Sequence, residues 1–378
     1  MKAFAIALFC LCLVGSVSAQ ADISKEFSVS SGELLEIHLR AGGSIDIEGW
    51  DEDRATIEVT FRGCDPDDFD FDISRSRSGI DIDSDYRRRV NRSNIRVSVM
   101  VPRKFDLLLK TSGGGIAIAN IEGSIRGTTG GGGLDLRHLT GRIDLTTGGG
   151  DIKLRDSRLD GEVKTGGGPV LVENVEGDIH ATSGGGNVVY RDVTTPDRTY
   201  PDGLVYIRNA GGDIDVDEAP NGADVSTGGG DIWIRSARGL VEARTGGGDI
   251  ELGAVAGSVE ATTGAGEIEV TIIANPDVDH QDVSLRTGTG EVTLYVPEKL
   301  SMDIEIELGF TKGYSGRYKI RSDVELEQET TDTWDYDHGS PRKFIYGSAT
   351  VSGGKSRILI RTINGNVVIK YHNEDSTL

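Results

Sequence analysis

The sequence is poor in the residues that staple, kink or anchor a protein. Only 3 of its 378 residues are cysteine; Cys10 and Cys12 lie in an N-terminal apolar run, which leaves Cys64 alone in the rest of the chain. One cysteine cannot close an internal disulfide, so packing and backbone hydrogen bonds must hold the fold. Aromatic residues make up 6% of the chain and apolar residues 37%, low for a globular domain but too high for disorder. Cations are outnumbered: 40 Lys and Arg stand against 61 Asp and Glu, a formal charge of −21. So acidic a chain repels phosphate backbones and anionic headgroups, which argues against nucleic acid and membrane surfaces as partners. Chemical signatures are missing too. The six histidines (His38, His138, His180, His280, His338, His372) share no metal or catalytic spacing, and neither H-E-x-x-H nor G-x-S-x-G occurs. Ser352-Gly353-Gly354-Lys355 matches S-x-x-K, but that motif needs a helix start, and nothing in the chain reads as a helix. It reads as a turn.

What the chain does have is glycine: 53 residues, about twice the usual share, with no Gly-X-Y period that would make collagen. The N-terminus reads MKAFAIALFCLCLVGSVSAQ. Lys2, a short apolar run and the small residues before Gln20 predict a secretory signal over residues 1–19, cut after Ala19. The apolar run is shorter than the ~20 residues a membrane span needs, so no insertion is expected after cleavage. Phe9 and Leu11 precede the two cysteines where lipidation would want a small residue. The expected destination is the periplasm, the cell surface or the medium.

The glycines come in runs. TTGGGDIKL (146–154), TGGGDIWI (227–234) and TGGGDIEL (245–252) are three copies of one element. Aligning on the residue before each run gives Thr111, Thr129, Thr147, Thr165, Ser183, Asn209, Thr227, Thr245, Thr263 and Thr287. These are 18 residues apart except for one step of 26 and one of 24, which carry turn-rich insertions. Five positions later stands an unbroken apolar column: Ile116, Leu134, Ile152, Val170, Val188, Ile214, Ile232, Ile250, Ile268, Val292. A second follows two positions on, from Ile118 to Leu294, and a weaker one precedes the glycines. Period two means strands with one buried face. A unit this small cannot bury that face alone, but stacked units can. The prediction is an all-β protein, a single parallel β-solenoid with 18-residue coils, two strands per coil, glycine-run corners and irregular capping ends. Its parts are a cap over 20–110, the regular array over 111–298 and a closing region over 299–378. The pair Val101-Pro102-Arg103-Lys104 and Val296-Pro297-Glu298-Lys299 points to an older duplication beneath the short repeat.

The position just after the glycines is acidic in the last five coils: Asp213, Asp231, Asp249, Glu267, Glu291. Stacked like charges about 5 Å apart destabilise each other, so something must offset them. Divalent cations such as Ca²⁺ are one answer, and this row is the candidate metal site. Hydrogen bonds from corner N–H groups are the other. Trp233, between Ile232 and Ile234, should point outward.

The repeated T-[TS]-G-G-G-x-[IV]-x-[LIV] segments, the VP strands and the closing TINGNVVI resemble the DUF4097-type family of bacterial adhesin-like proteins of unknown function, over roughly residues 30–372. The resemblance implies an exported β-solenoid and suggests adhesion; it supplies no catalytic residues. No cofactor and no catalytic residue is expected. The reading is a non-enzymatic interaction module at the cell envelope, engaging an unidentified surface polymer or protein. A structural or envelope-stress scaffold, and a carbohydrate-active enzyme, are the alternatives.

Overall fold

The computed structural model describes residues 22–88, 94–194, 203–336 and 340–372. The expected signal segment 1–19, most of the 194–203 insertion and His338 lie outside them. Among the described residues there are strands and two short 3-10 turns, and no α-helix.

The predicted solenoid is what the chain forms. Each strand before a glycine run pairs in parallel with the strand one coil on, Ile125 beside Ile143 and Leu145 beside Val163. Each strand after a run does the same: Leu134 beside Ile152, Ile232 beside Ile250. Residues eighteen apart are therefore stacked neighbours, and the apolar columns of the sequence become continuous rows inside. Every member of the column from Ile116 to Val292 is no more than 2% exposed. Burying each such side chain is worth about 1.5–3 kcal/mol, and no staple is needed.

The glycine corner is built differently from what a glycine run suggests. Absent side chains permit both positive φ and close stacking of coils, but no glycine of the runs from Gly130 to Gly288 adopts positive φ; only the end members Gly114 and Gly290 do. The reason for the runs is contact between coils. A Cβ on the glycine three positions after each aligned residue would lie within 3.0 Å of the backbone of the neighbouring coil, as at Gly212, 2.5 Å from the Gly186 carbonyl oxygen. The residue before the run ties the same two coils. The buried Thr147 hydroxyl donates to the Gly132 carbonyl (2.6 Å) and accepts from the Gly150 N–H (3.2 Å). Thr165, Ser183, Thr227, Thr245 and Thr263 repeat the link to the preceding coil, and Asn209 reproduces it with its amide. The opposite corner is turned in the early coils by Asn120, His138, Asp156, Asn174 and Asp192, all in the left-handed region at φ of 49–60°. Asn and Asp tolerate that conformation best.

At both ends the coils stack out of sequence order. The strands Leu34–Leu39 and Ser44–Trp50 make a coil that lies between Gly79–Tyr86 with Ile95–Pro102 on its outer side and Asp106–Thr111 with Ile116–Ala119 on its inner side. The chain leaves Ser44–Trp50 outward, over the end of Ile95–Pro102, to reach Arg54–Phe61. It leaves Ile95–Pro102 inward, through Val-Pro-Arg-Lys, over the end of Ser44–Trp50. The two connections cross, which connections in most folds avoid. Arg103 fastens the crossing: its guanidinium grips Asp51 (2.6 and 3.3 Å) and its N–H donates to the Trp50 carbonyl. The other end repeats the device. The coil of Ser356–Ile363 and Val367–His372 lies between Val283–Thr287 with Val292–Pro297 on its inner side and Met302–Thr311 with Ile320–Ser322 on its outer side. Val-Pro-Glu-Lys passes over it, and the turn 352–355 passes over the start of Met302–Thr311. Ser301 ties this crossing, its hydroxyl donating to the Ser352 carbonyl (2.8 Å) and accepting from the Lys355 N–H (3.0 Å). The two Val-Pro segments thus do one topological job. Antiparallel strands Phe69–Arg75, Arg54–Phe61 and Arg342–Val351 then cover the outer edges, the usual protection against edge-to-edge pairing.

Candidate functional site

The acidic row lies on the outer face of the strands that follow the glycines, one residue per coil. Its members are linked. Asp213 Oδ1 accepts from the Asp231 N–H (3.0 Å), Asp231 Oδ1 from the Asp249 N–H (2.8 Å), and Asp249 Oδ1 from the Glu267 N–H (2.8 Å). Asn187 starts the series, accepting from the Asp213 N–H and donating to Asp213 Oδ2, and Asn366 ends it, donating to Glu291 Oε2 (2.8 Å). The three bonds from Asp213 to Glu267 each pair a carboxylate with a corner N–H of the next coil, which offsets the repulsion along that part of the row. Asp215, Asp217, Glu251 and Glu269 share the outward side of the same sheet, with Arg235 facing Asp217 at 3.5 Å. Trp233 stands among them, 37% exposed. Among the described residues no three His, Cys, Asp or Glu side chains converge closely enough to hold a metal ion.

The remaining chemical candidates are dispersed. His38 faces Asp83 (3.8 Å), His280 faces Asp282 (4.0 Å), and His372 Nε2 contacts the Ile272 carbonyl oxygen. Ser352 to Lys355 is the turn at the C-terminal crossing, with φ of 53°, 97° and 69° at its first three residues.

Two of the shallow grooves on the shaft carry charged side chains from neighbouring coils. One, of about 600 Å³, crosses the post-glycine face where Gly115, Ala117 and Gly133 leave the sheet bare between Asp46 and Lys153. The other, of about 460 Å³, lies on the pre-glycine face and gathers Asp144, Asp160, Glu162 and Asp178 with Arg142 and His180. Asp178 is 9% exposed; it meets His180 Nε2 at 3.2 Å, and its N–H donates to Asp160 Oδ1. Nearby, His180 packs on Tyr206, and Arg208 covers the other ring while pairing with Asp224.

No protein-family model matches the sequence, and no curated protein matches it. Among solved structures it is similar to a "putative cell adhesion protein" from Clostridium sporogenes ATCC 15579, at 10% identity over 93% of this chain and 99% of that one, with a TM-score of 0.16. It is also similar to a "putative adhesin" from Bacteroides fragilis NCTC 9343, at 10% identity over 93% of this chain and 98% of that one, with a TM-score of 0.20.

The columns of the sequence place the acidic row and Trp233 where the structure has them. They miss the four-carboxylate groove, because its members come from two outward columns, Asp144 with Glu162 and Asp160 with Asp178, that are not uniformly acidic along the stack. Reading these two neighbouring outward columns together would have found it.

Proposed function

We propose that the protein is an exported, non-enzymatic, adhesin-like rod of the bacterial envelope that engages a surface polymer or protein through repeated weak contacts. The observation that supports this reading is the lattice of outward side chains. Rows such as Asp213, Asp231, Asp249 and Glu267 recur in register at one strand spacing, about 4.8 Å. A polymer lying along such a face meets the same contact many times, so avidity grows with length and no single contact needs to be strong. The adhesin-like pattern of the sequence is consistent with it.

Removing residues 228–263, two coils in phase, joins Thr227 to Gly264 and restores the Thr-Gly corner. Binding of the full chain and the shortened chain to an array of bacterial surface glycans and to whole cells is then compared. The shortened rod should stay folded and bind several-fold more weakly. Equal binding by both chains would remove multivalency, and binding to nothing on either surface would remove the adhesive role. Release of soluble sugar from any arrayed polymer would favour an enzyme instead.

A further inference from the structure

The C-terminal cap departs from the rest of the molecule in charge and in composition. Residues 310–321, FTKGYSGRYKIR, hold Lys312, Arg317, Lys319 and Arg321 with no carboxylate among them, in a chain of net charge −21. Aromatic side chains, scarce along the shaft, cluster at the same place. The Trp334 indole stands edge-on to the buried Phe310 ring at 6.0 Å between centroids. Two ammonium groups approach it: Lys343 Nζ lies 5.4 Å and Lys312 Nζ 5.7 Å from its centroid. Lys312 also lies 5.7 Å from the Tyr336 ring and donates to its hydroxyl at 3.4 Å, and Tyr336 is 62% exposed. Among the described residues neither ammonium has a carboxylate within 4.0 Å.

Two cations gathered on one aromatic platform repel each other, and cation–π attraction offsets only part of that. The ligand that satisfies the arrangement is fixed by what each partner would leave unused. A bare phosphate or sulfate pairs with the lysines but makes no use of the indole and phenol faces. A neutral sugar stacks on the rings and leaves both ammonium groups unpaired. A sugar carboxylate uses both: the C–H face of the pyranose packs on the exposed Tyr336 ring, and its carboxylate takes charge-assisted hydrogen bonds from the ammonium groups gathered over Trp334. The geometry points to a binding site for acidic, uronate-type sugars at the C-terminal tip of the rod. The location adds selectivity. The acidic shaft repels an anionic polysaccharide along its length, so such a chain is engaged end-on at the cap. This site is separate from the repeated faces and does not depend on them.

Isothermal titration of the full chain with tetragalacturonate tests the assignment. Saturable binding is expected, weakening as salt rises. Lys312→Gln with Lys343→Gln should weaken it roughly tenfold or more, whereas Lys312→Arg with Lys343→Arg should restore most of it; Lys312 is exposed and Lys343 half-buried, and circular dichroism of each variant checks that the fold is unchanged. Neutral galactotetraose should not bind, and inorganic phosphate should not compete. The chain lacking residues 228–263 should bind tetragalacturonate as well as the full chain, which separates this site from the lattice on the shaft. Absence of saturable binding, equal binding of galactotetraose, displacement by inorganic phosphate, or an unchanged affinity in the double Gln variant each overturns the proposal.

Discussion

Replacing Gly148, Gly149 and Gly150 with alanine one at a time distinguishes contact between coils from backbone freedom as the reason for the glycine runs. All three have φ outside the left-handed region, so a conformational explanation treats them alike. Contact does not. A Cβ at Gly149 meets nothing within 4 Å, whereas one at Gly150 falls within 3.0 Å of the Gly132 carbonyl carbon and oxygen and the Gly133 nitrogen. Those atoms are backbone, held in the stack by bonds such as Leu134 N–H to the Asp151 carbonyl (2.8 Å), so the coils must part by about 1 Å. Forced overpacking of this kind costs about 3 kcal/mol. Gly149→Ala restricts the unfolded chain without strain and should stabilise by about 0.5 kcal/mol. Gly148 faces the Gly130 carbonyl and should resemble Gly150. The chain already holds part of this experiment: the middle position is Ala265 in one coil and Thr289 in another, while the third is glycine from Gly114 to Gly290. Urea unfolding followed by circular dichroism gives the difference between Gly149→Ala and Gly150→Ala, and hydrogen exchange shows whether the loss is confined to neighbouring coils, as a stacked array requires. Equal midpoints for the two variants would refute the contact explanation.

Thr147→Val leaves the Gly132 carbonyl and the Gly150 N–H without their buried partner and should cost about 2 kcal/mol, with Thr147→Ser costing less; both are read from urea midpoints. Burial holds the Tyr190 phenol neutral, well above its ordinary range, while its hydroxyl donates to the Ile179 carbonyl (2.7 Å). Its contribution is therefore complete below the unfolded phenol's pKa and lost as pH rises above about 10; Tyr190→Phe should be about 1 kcal/mol less stable at pH 7 and close the gap in strong alkali. Hydrogen bonding and charge from Arg103 hold the Asp51 carboxyl below the usual carboxylate range. That pair contributes above the unfolded carboxylate's pKa, so a difference in melting temperature between wild type and Asp51→Asn should vanish as pH falls below about 4. Calcium should not raise the melting temperature beyond the effect of equal ionic strength from a monovalent salt, because a hydrogen-bond ladder already offsets the acidic row; a larger rise would identify Asp213 to Glu291 as a cation site.

The shaft was legible because its geometry maps sequence position directly onto space. With eighteen residues per coil and parallel, in-register strands, Ile232 must lie on Ile250, and alignment alone supplies the core, the corner threonines and the outward row. The crossings were not legible. Period-two patterning tells a strand which face to bury, and Ser44–Trp50 and Ser356–Ile363 obey it, but patterning does not say which neighbour completes the sheet. Nothing in Leu39-Arg40-Ala41-Gly42-Gly43 shows that this corner stacks on Thr111 through Gly114, with the strands of residues 54–102 folded around it. The glycine runs were legible only as a choice: a missing side chain permits both unusual torsions and close approach, and only the packed neighbour tells which one is used.

The crossings also set an order of events. The middle of the shaft can form by adding each coil to the one before it, since successive coils are adjacent in both sequence and space. At the C-terminal end that growth skips a place. Val-Pro-Glu-Lys carries the chain past an unfilled level to Met302–Thr311, leaving a gap about two strand spacings wide. Ser356–Ile363 and Val367–His372 enter that gap only after the strands before them exist, and they pair on both sides at once. Growth by zippering therefore ends in wedging. Until the last coil is seated, Val283–Thr287 and Met302–Thr311 each present an open parallel edge to any extended segment of matching register, the terminal coil of a neighbouring copy included.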